Sequence, residues 1–448
     1  MSGMQQPAAL PQIVSPQMLR KVAYASCIGS MVEWYDFFIY ATASALVLNR
    51  LFFPTVSPLI GSLVALGTYA VGFVARPIGG LLFGSIGDRY GRKTALVTTL
   101  LIVGIATFVI GVMPTYATIG IAAPLTLLFI RLLHGFGIGG EQGNAILITC
   151  EHAPAARRGF YGSWVQLGAP AGFVLPLGIF AVLGWLLSDA QFLAWGWRIP
   201  FLLSLLLVGI GLYIRLNLTE SPLFTRLRER AHGERHPLGR VLREHPRALA
   251  LGCGAKIAES TVFTCFAVIV TAYAASRGVA RSVMTTATLI GILVELATLP
   301  AFGLLSDRLG RRPVYLLGVA VSAALTVPVF ACVYYGATGV LWLLLTAMLA
   351  IGHSAMYGPQ AAYFAELFPT GMRSSGVSFV QQIGGMVGSV GTLGAGWLLQ
   401  AAGGAPWLLA GYIILTCVLS FACIVALGET APRRGHSGDF SAGTPAPA

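Results

Sequence analysis

Residues 94–113, 313–335 and 405–427 contain no charged side chain. A run of that length matches the about 20 residues a helix needs to cross the apolar core of a bilayer. Lipid offers the backbone no water to bond, so only helices and closed barrels can span it. Barrel strands are about 9–11 residues long, and these runs therefore read as helices. Nine more runs of similar character complete twelve expected spans, at 22–48, 58–84, 94–113, 121–149, 160–183, 197–218, 248–275, 281–305, 313–335, 338–365, 375–400 and 405–427. The expected fold class is an all-α polytopic membrane protein of twelve transmembrane helices. Only 10% of the residues are charged, against about 25% in soluble domains, so the composition suits lipid rather than water.

Among these runs lies a compact charged stretch, Gly87-Asp88-Arg89-Tyr90-Gly91-Arg92-Lys93. A near copy, Ser306-Asp307-Arg308-Leu309-Gly310-Arg311-Arg312, follows 219 residues later. A second repeat pairs Glu151 and Arg158 with Glu366 and Arg373, and Trp164-Val165-Gln166 with Phe379-Val380-Gln381, at an offset of 215. Repeated six-span halves are a recognised transporter plan. The expected organisation is an N-terminal tail at 1–21, a six-helix bundle at 22–218, a polar linker at 219–247, a second six-helix bundle at 248–427 and a C-terminal tail at 428–448. Residues 1–19 carry no charge and are expected to be irregular, and 429–448 show no heptad pattern that would make a coiled-coil tail.

The basic residues fix an expected orientation. Twenty-one of the 28 Lys and Arg residues fall in one set of loops and tails, including eight arginines from Arg215 to Arg247. The alternate loops hold only Arg50, Arg198, Arg277 and Arg281. Positive-inside bias then places both termini and the linker in the cytoplasm. The net charge of +12 is thus topological, and no nucleic-acid partner is expected. The seven cysteines have no CxxC spacing, so neither a disulfide nor a metal site is expected. Residues 1–20 lack the layout of a cleavable signal peptide. Arginine outnumbers lysine 25 to 3, which fits a GC-rich bacterial genome and an inner-membrane protein.

A charge inside a span costs about 2.5–3.5 kcal/mol on insertion scales, so each needs a partner, water or a task. Glu33 and Asp36 share a face of span one. Two ionised carboxylates at that spacing repel, which suits a proton-binding site; a structural ion pair is the competing role. Arg131 in span four needs an anion, for which a carboxylate of span one is the natural candidate. His134 and Glu141 follow it on nearly the same face. Arg76 precedes Pro77 in span two and is the candidate for gripping a substrate carboxylate, since its fork fits that geometry. Lys256 and Glu259 repeat the three-residue spacing in span seven, and Glu295 in span eight could pair with Lys256 or take a proton. Tyr35, Tyr69, Gln142, Gln166, Tyr363 and Gln381 are candidate neutral substrate contacts. Span ten has Thr346 and Met356 where span four has Arg131 and Glu141, so proton work is expected in the first half. Asp88, Arg89, Arg92, Glu151 and Arg158, with Asp307, Arg308, Arg311, Glu366 and Arg373, form a candidate salt-bridge latch between spans. Asp88 is expected near the N-terminus of the following helix, where the dipole favours an anion.

Gly87–Lys93 resembles the signature loop between spans two and three of the major facilitator superfamily, and Arg131–Glu141 resembles its span-four motif. Within it the chain is similar to metabolite:proton symporters, a family that includes carriers for proline and betaine, α-ketoglutarate, citrate and shikimate. The matching residues are Val32–Phe38, Arg76–Gly80, Gly139–Glu141, Arg158–Tyr161 and Trp195–Phe201. Val56-Ser57-Pro58 and Gln191–Trp197 look nearest to shikimate-type carriers. The resemblance implies alternating access between two halves, a proton-linked role for Arg131 and a conformational latch in the charged loop. The expected function is proton-driven uptake of a small, carboxylate-bearing metabolite by a monomer, with a proton gradient and no cofactor. Proton-antiport export, a non-transporting sensor and a membrane enzyme are the alternatives, the last without a clustered metal site or activated nucleophile in the sequence.

Overall fold

The computed structural model describes residues 16–54, 58–221, 223–225 and 237–432. Most of the 1–21 and 428–448 tails and part of the linker lie outside these residues, as do the side chains of 58–71, Tyr69 included. Twelve long helices follow in order. α1 is Pro16–Ala43, carried through a π-helical turn Ser44–Leu48 to Asn49–Phe52; α2 is Pro58–Tyr90, α3 Arg92–Val112 and α4 Ala122–His152. α5 is Ala155–Leu186 and α6 Arg198–Leu216. α7 is Pro246–Ser276, α8 Arg281–Leu309, α9 Arg311–Tyr335 and α10 Thr338–Glu366. α11 runs in short stretches from Arg373–Phe379, through a π-helical turn at Val380–Gly384, to Ala395–Ala401, and α12 is Trp407–Leu427. Among the described residues nine helices are long and apolar enough to cross a membrane. The other three long helices are α1, which carries Glu33 and Asp36 at its middle, α2, and the interrupted α11.

The charged stretches are not loops. Asp88 and Arg89 belong to the last turn of α2, Arg92 opens α3, and Gly91 alone separates the helices. Gly310 does the same between α8 and α9. Both glycines have φ near +109°, at 108° and 109°, a region side chains rarely adopt. α1 also starts earlier than expected, at Pro16.

Small residues set the helix spacing within the first half. A Cβ added at Gly135 would stand 2.1 Å from the Gly72 carbonyl oxygen, and one at Gly139 2.0 Å from that of Arg76. α2 and α4 therefore touch backbone to backbone, the close approach that glycines permit in membranes. Between the halves α2 packs on α11, and α5 on α8 and α10. Large apolar side chains such as Leu206, Tyr213 and Leu415 face outward, as a lipid-facing surface requires.

At one end the halves are joined by a paired set of polar contacts. Asp88 accepts from the backbone N–H groups of Ser374 (3.0 Å) and Ser375 (2.8 Å), at the start of α11. Asp307 accepts from Gly159 (2.9 Å) and Phe160 (2.8 Å), at the start of α5. Each half thus caps a helix of the other; Asp88, expected near the N-terminus of its own following helix, pairs with Arg92 at that start (3.3 Å) but accepts its backbone hydrogen bonds from α11. The first amides of α3 are taken by Glu220, with Arg92 and Lys93 N–H both at 3.1 Å. Glu429 does the same for Arg311 (2.8 Å) and Arg312 (3.1 Å) at the start of α9. A Cβ at Gly91 or Gly310 would collide with these carboxylates, at 2.2 and 2.4 Å.

Buried ion pairs fill the space behind the caps. Glu151 meets Arg92 (3.4 Å) and Arg373 (3.1 Å) and accepts from the Ser221 hydroxyl. Glu366 meets Arg311 (3.4 Å) and Arg158 (4.0 Å) and accepts from Thr430 (2.7 Å). Arg89 and Arg308 are exposed. They take no part in these buried pairs because they point away from the joint, which corrects their inclusion in the latch.

Two outcomes are expected. Gly135→Ala and Gly139→Ala should each lower the melting temperature of the purified protein, by a packing cost of about 1–3 kcal/mol, whereas Gly178→Ala, with open space around it, should not. Asp88→Asn should enrich a state with the joint opened, by about tenfold if one charge-assisted hydrogen bond of about 1.5 kcal/mol is lost. Spin labels at the exposed positions 89 and 308 would report it as a longer distance population, and an unchanged distribution would count against the latch.

Candidate functional site

A cavity of about 310 Å³ lies between the halves. Its wall includes Trp34, Phe37 and Phe38 of α1, Arg76 of α2 and Gln142 of α4 on one side. On the other stand Lys256, Glu259, Ser260 and Phe263 of α7, His353 and Tyr357 of α10, and Gln381 and Gln382 of α11. The lining continues to Ile269 on α7 and to Val390 on α11, so the cavity extends away from the latched end. Three π-helical turns border it, Cys265–Ile269, Met348–His353 and Val380–Gly384. Such wide turns are frequent at functional sites because they re-aim side chains.

Arg76 stacks on Phe37, with its guanidinium carbon 4.3 Å from the ring centre, and reaches over Trp34 at 5.8 Å. This cation–π seat holds the guanidinium at the wall. Gln381 is 2% exposed, and neither amide atom has a hydrogen-bond partner. Buried amides are normally satisfied, so this one is available to a ligand. Gln142 donates to the Tyr357 hydroxyl (3.2 Å) and more weakly to Gln166 (3.5 Å). Gln166 stands behind it and donates to the Tyr357 carbonyl (3.4 Å).

Behind the α1 wall is a buried charged layer. Glu33 lies among Arg76, Glu141, Arg215 and Asp36, and its Oε2 accepts no hydrogen bond. Asp36 is 1% exposed, with both oxygens unbonded and Thr107 and Arg131 bearing on it. Arg131 stacks over Tyr40 at 3.9 Å and donates to His134 Nδ1 at 3.0 Å. Glu141 is held by Arg215, which also donates to the Leu96 carbonyl (2.6 Å). Arg215 is therefore a buried partner at the end of α6 rather than a linker arginine, which corrects the loop count.

The second half carries a denser cluster. Lys256 pairs with Glu259 and donates to Gln360 Oε1 at 3.0 Å. His353 stands between Glu259 (3.1 Å) and Glu295 (2.5 Å). Glu295 thus pairs with His353 rather than with Lys256.

The structure gathers Arg76, Gln142, Lys256, Glu259 and Gln381 at the cavity and places Glu33, Asp36, Arg131 and Glu141 in the layer behind. Tyr35 donates to the Pro200 carbonyl (2.8 Å) inside the first bundle, and Tyr363 to the Gly428 carbonyl (2.7 Å) at the latched end. Neither reaches the cavity, because helical register turns Tyr35 toward α6 and carries Tyr363 ten residues, about 15 Å, past His353. Gln360, like Tyr357, is a neutral polar group that the sequence already offers to a hydroxylated acid, whereas His353 is a cavity residue that sequence reasoning misses. The signal for His353 is its spacing to Tyr357 and Gln360, which puts three polar groups on one helical face.

The description "Sugar (and other) transporter" matches residues 22–249, and "Major Facilitator Superfamily" matches 252–447. The chain is 39% identical over 414 residues to the inner membrane metabolite transport protein YhjE of Escherichia coli K12, covering 89% of this chain and 93% of that protein. It is 38% identical over 413 residues to the shikimate transporter of the same organism, with 88% and 92% covered. A proline/betaine transporter of Salmonella typhimurium is 34% identical over 431 residues, with 94% and 86% covered. The solved structure of the proton:xylose symporter XylE bound to 6-bromo-6-deoxy-D-glucose superposes with a TM-score of 0.73 at 16% identity, over 92% of this chain and 97% of that one. That likeness shows the fold. These matches are to transporters and not to enzymes, and the chain belongs to the major facilitator superfamily of twelve-helix membrane transporters.

Proposed function

We propose that the protein imports a small carboxylate-bearing metabolite together with protons, by alternating access. It acts as a monomer in a bacterial inner membrane, with both termini in the cytoplasm, drawing on the proton gradient and no cofactor. The cavity is the observation that carries this reading. Arg76 and Lys256 bring positive charge to its two sides, and Gln381 presents an unpartnered amide. Trp34, Phe37, Phe38 and Phe263 supply apolar walls for the body of the substrate. A guanidinium fork on one side and an amide on the other suit a carboxylate with polar substituents. The names of two relatives, a shikimate transporter and a proline/betaine transporter, support a small metabolite that bears a carboxylate.

The proton step is assigned to Asp36, with Glu33 beside it. An ionised Asp36 attracts Arg131; a protonated one releases it. That gives the first bundle two arrangements whose balance depends on a proton, the requirement for coupling. Closed contacts at the Asp88–Asp307 end and a cavity leading the other way support an outward-facing resting state. Substrate and proton enter together, the outer halves close, and the caps on α5 and α11 separate to release both inside.

A thermal-shift screen of organic acids and betaines selects the substrate, since a ligand of the folded state raises its stability. In proteoliposomes with acid outside, the selected acid should accumulate, and a protonophore should abolish accumulation. Asp36→Asn should retain exchange but lose accumulation, and Arg76→Lys should raise KM about tenfold or more through loss of the bidentate contact. Accumulation indifferent to the protonophore would rule out proton coupling.

A further inference from the structure

His353 has a carboxylate against each ring nitrogen. Nδ1 is 2.5 Å from Glu295 Oε1 on α8, and Nε2 is 3.1 Å from Glu259 Oε1 on α7. A neutral imidazole carries one N–H. It can donate to one of these carboxylates, but it then turns a lone pair toward the other. Both contacts are hydrogen bonds only when one more proton is present, on the second ring nitrogen or on a carboxyl.

Charge counting gives the same answer. Lys256, paired with Glu259, adds one positive charge to the two carboxylates. With the extra proton the four groups sum to zero; without it they leave one negative charge in a site where His353 is 1% and Glu295 0% exposed. Glu295 Oε2 is itself buried with no hydrogen-bond partner. An unbalanced charge in such surroundings is costly, so losing the proton must be matched by another change nearby.

The surroundings isolate the proton but leave it a route. The ring lies between Phe263 and Tyr357, each with its centre 5.1 Å away. Glu259 and His353 line the cavity, whereas Glu295 does not. The groups facing the ring are Lys256 and Glu259 from α7, Glu295 from α8, Tyr357 on its own helix, and Tyr315 from α9 through Gln360, which bonds its hydroxyl at 3.0 Å. Arg76 stands across the cavity.

We propose that His353, Glu295 and Glu259 form a second proton-carrying site, in the C-terminal bundle, with the extra proton held on the His353 ring and loaded and emptied through the substrate cavity. Its charge state sets how strongly Glu259 holds Lys256. With the proton present, Glu259 is shared between His353 and Lys256, and Lys256 is freer to meet an anion in the cavity. With the proton gone, Glu259 turns wholly to Lys256. The proposal rests on the carrier reading above but not on Asp36 carrying a proton.

Nitrogen-15 NMR of histidine-labelled protein in lipid nanodiscs tests it without a substrate, the His353 signals being assigned by their loss in His353→Gln. The ring should convert between two N–H groups and one within a range of about pH 5–9, where environment can place a histidine. Glu295→Gln should move that midpoint to lower pH by about one unit or more, and Lys256→Gln should move it upward. Asp36→Asn should leave it in place. A ring in a single form across the range, or a midpoint unmoved by Glu295→Gln, would overturn the proposal. If either variant fails to fold, the wild-type titration decides alone. Normal His353 titration with no proton-driven uptake would instead reject the carrier reading.

Discussion

The structure depends on two aspartates, each capping a helix of the opposite half. Asp88 and Asp307 each accept two backbone N–H groups, at the starts of α11 and α5. A helix start presents unsatisfied N–H groups and the positive end of its dipole, so a carboxylate there satisfies two needs at once. These contacts hold one end of the molecule closed. The cavity exists because the same halves stand apart beyond Lys256 and Gln381.

The joint combines these directional polar contacts and buried ion pairs with apolar packing between the halves, such as Leu167 and Ala169 against Leu299 and Tyr357. Hydrogen bonds to charged groups contribute about 1.5–3 kcal/mol each, and the groups released would be solvated by water on opening. The internal repeat makes the arrangement two-sided. Glu220 with Ser221 in the first half and Glu429 with Thr430 in the second bind equivalent helix starts and equivalent acidic residues. Gly91 and Gly310 are required by both φ and the carboxylate each one faces. The buried charges do not share this symmetry: Asp36 and Arg131 lie in one bundle, and His353 with Glu259 and Glu295 in the other.

Uncharged runs and the charged repeat make the spans, the two halves and the buried acidic and basic residues of the joint legible in the sequence, though not that Arg89 and Arg308 stay exposed. A helical face can be read from spacing, as with Glu33 and Asp36 or Lys256 and Glu259. The neighbour that face meets cannot, because it depends on how helices distant in sequence are placed. Position in the chain places Asp88 beside Arg92 at the adjacent helix start, where it is found, but does not reveal that the amides it caps are those of the α11 start, 286 residues away. Arg215 was counted as loop charge, since nothing local marks it as the partner of Glu141, 74 residues back. Tyr35 and Tyr363 have the chemistry of binding residues but the register of packing residues. His353 has no counterpart in the internal repeat, since the matching position of span four is Ile138.

The proposed function requires substrate and protons to move inward together through this cavity. The direct measurement is external pH during uptake in lightly buffered proteoliposomes, after addition of the transported acid as its neutral salt. Symport requires the external medium to turn alkaline in step with uptake of labelled acid, and Asp36→Asn should lower the number of protons taken up per acid. Uptake with no pH change, or with acidification, would contradict it.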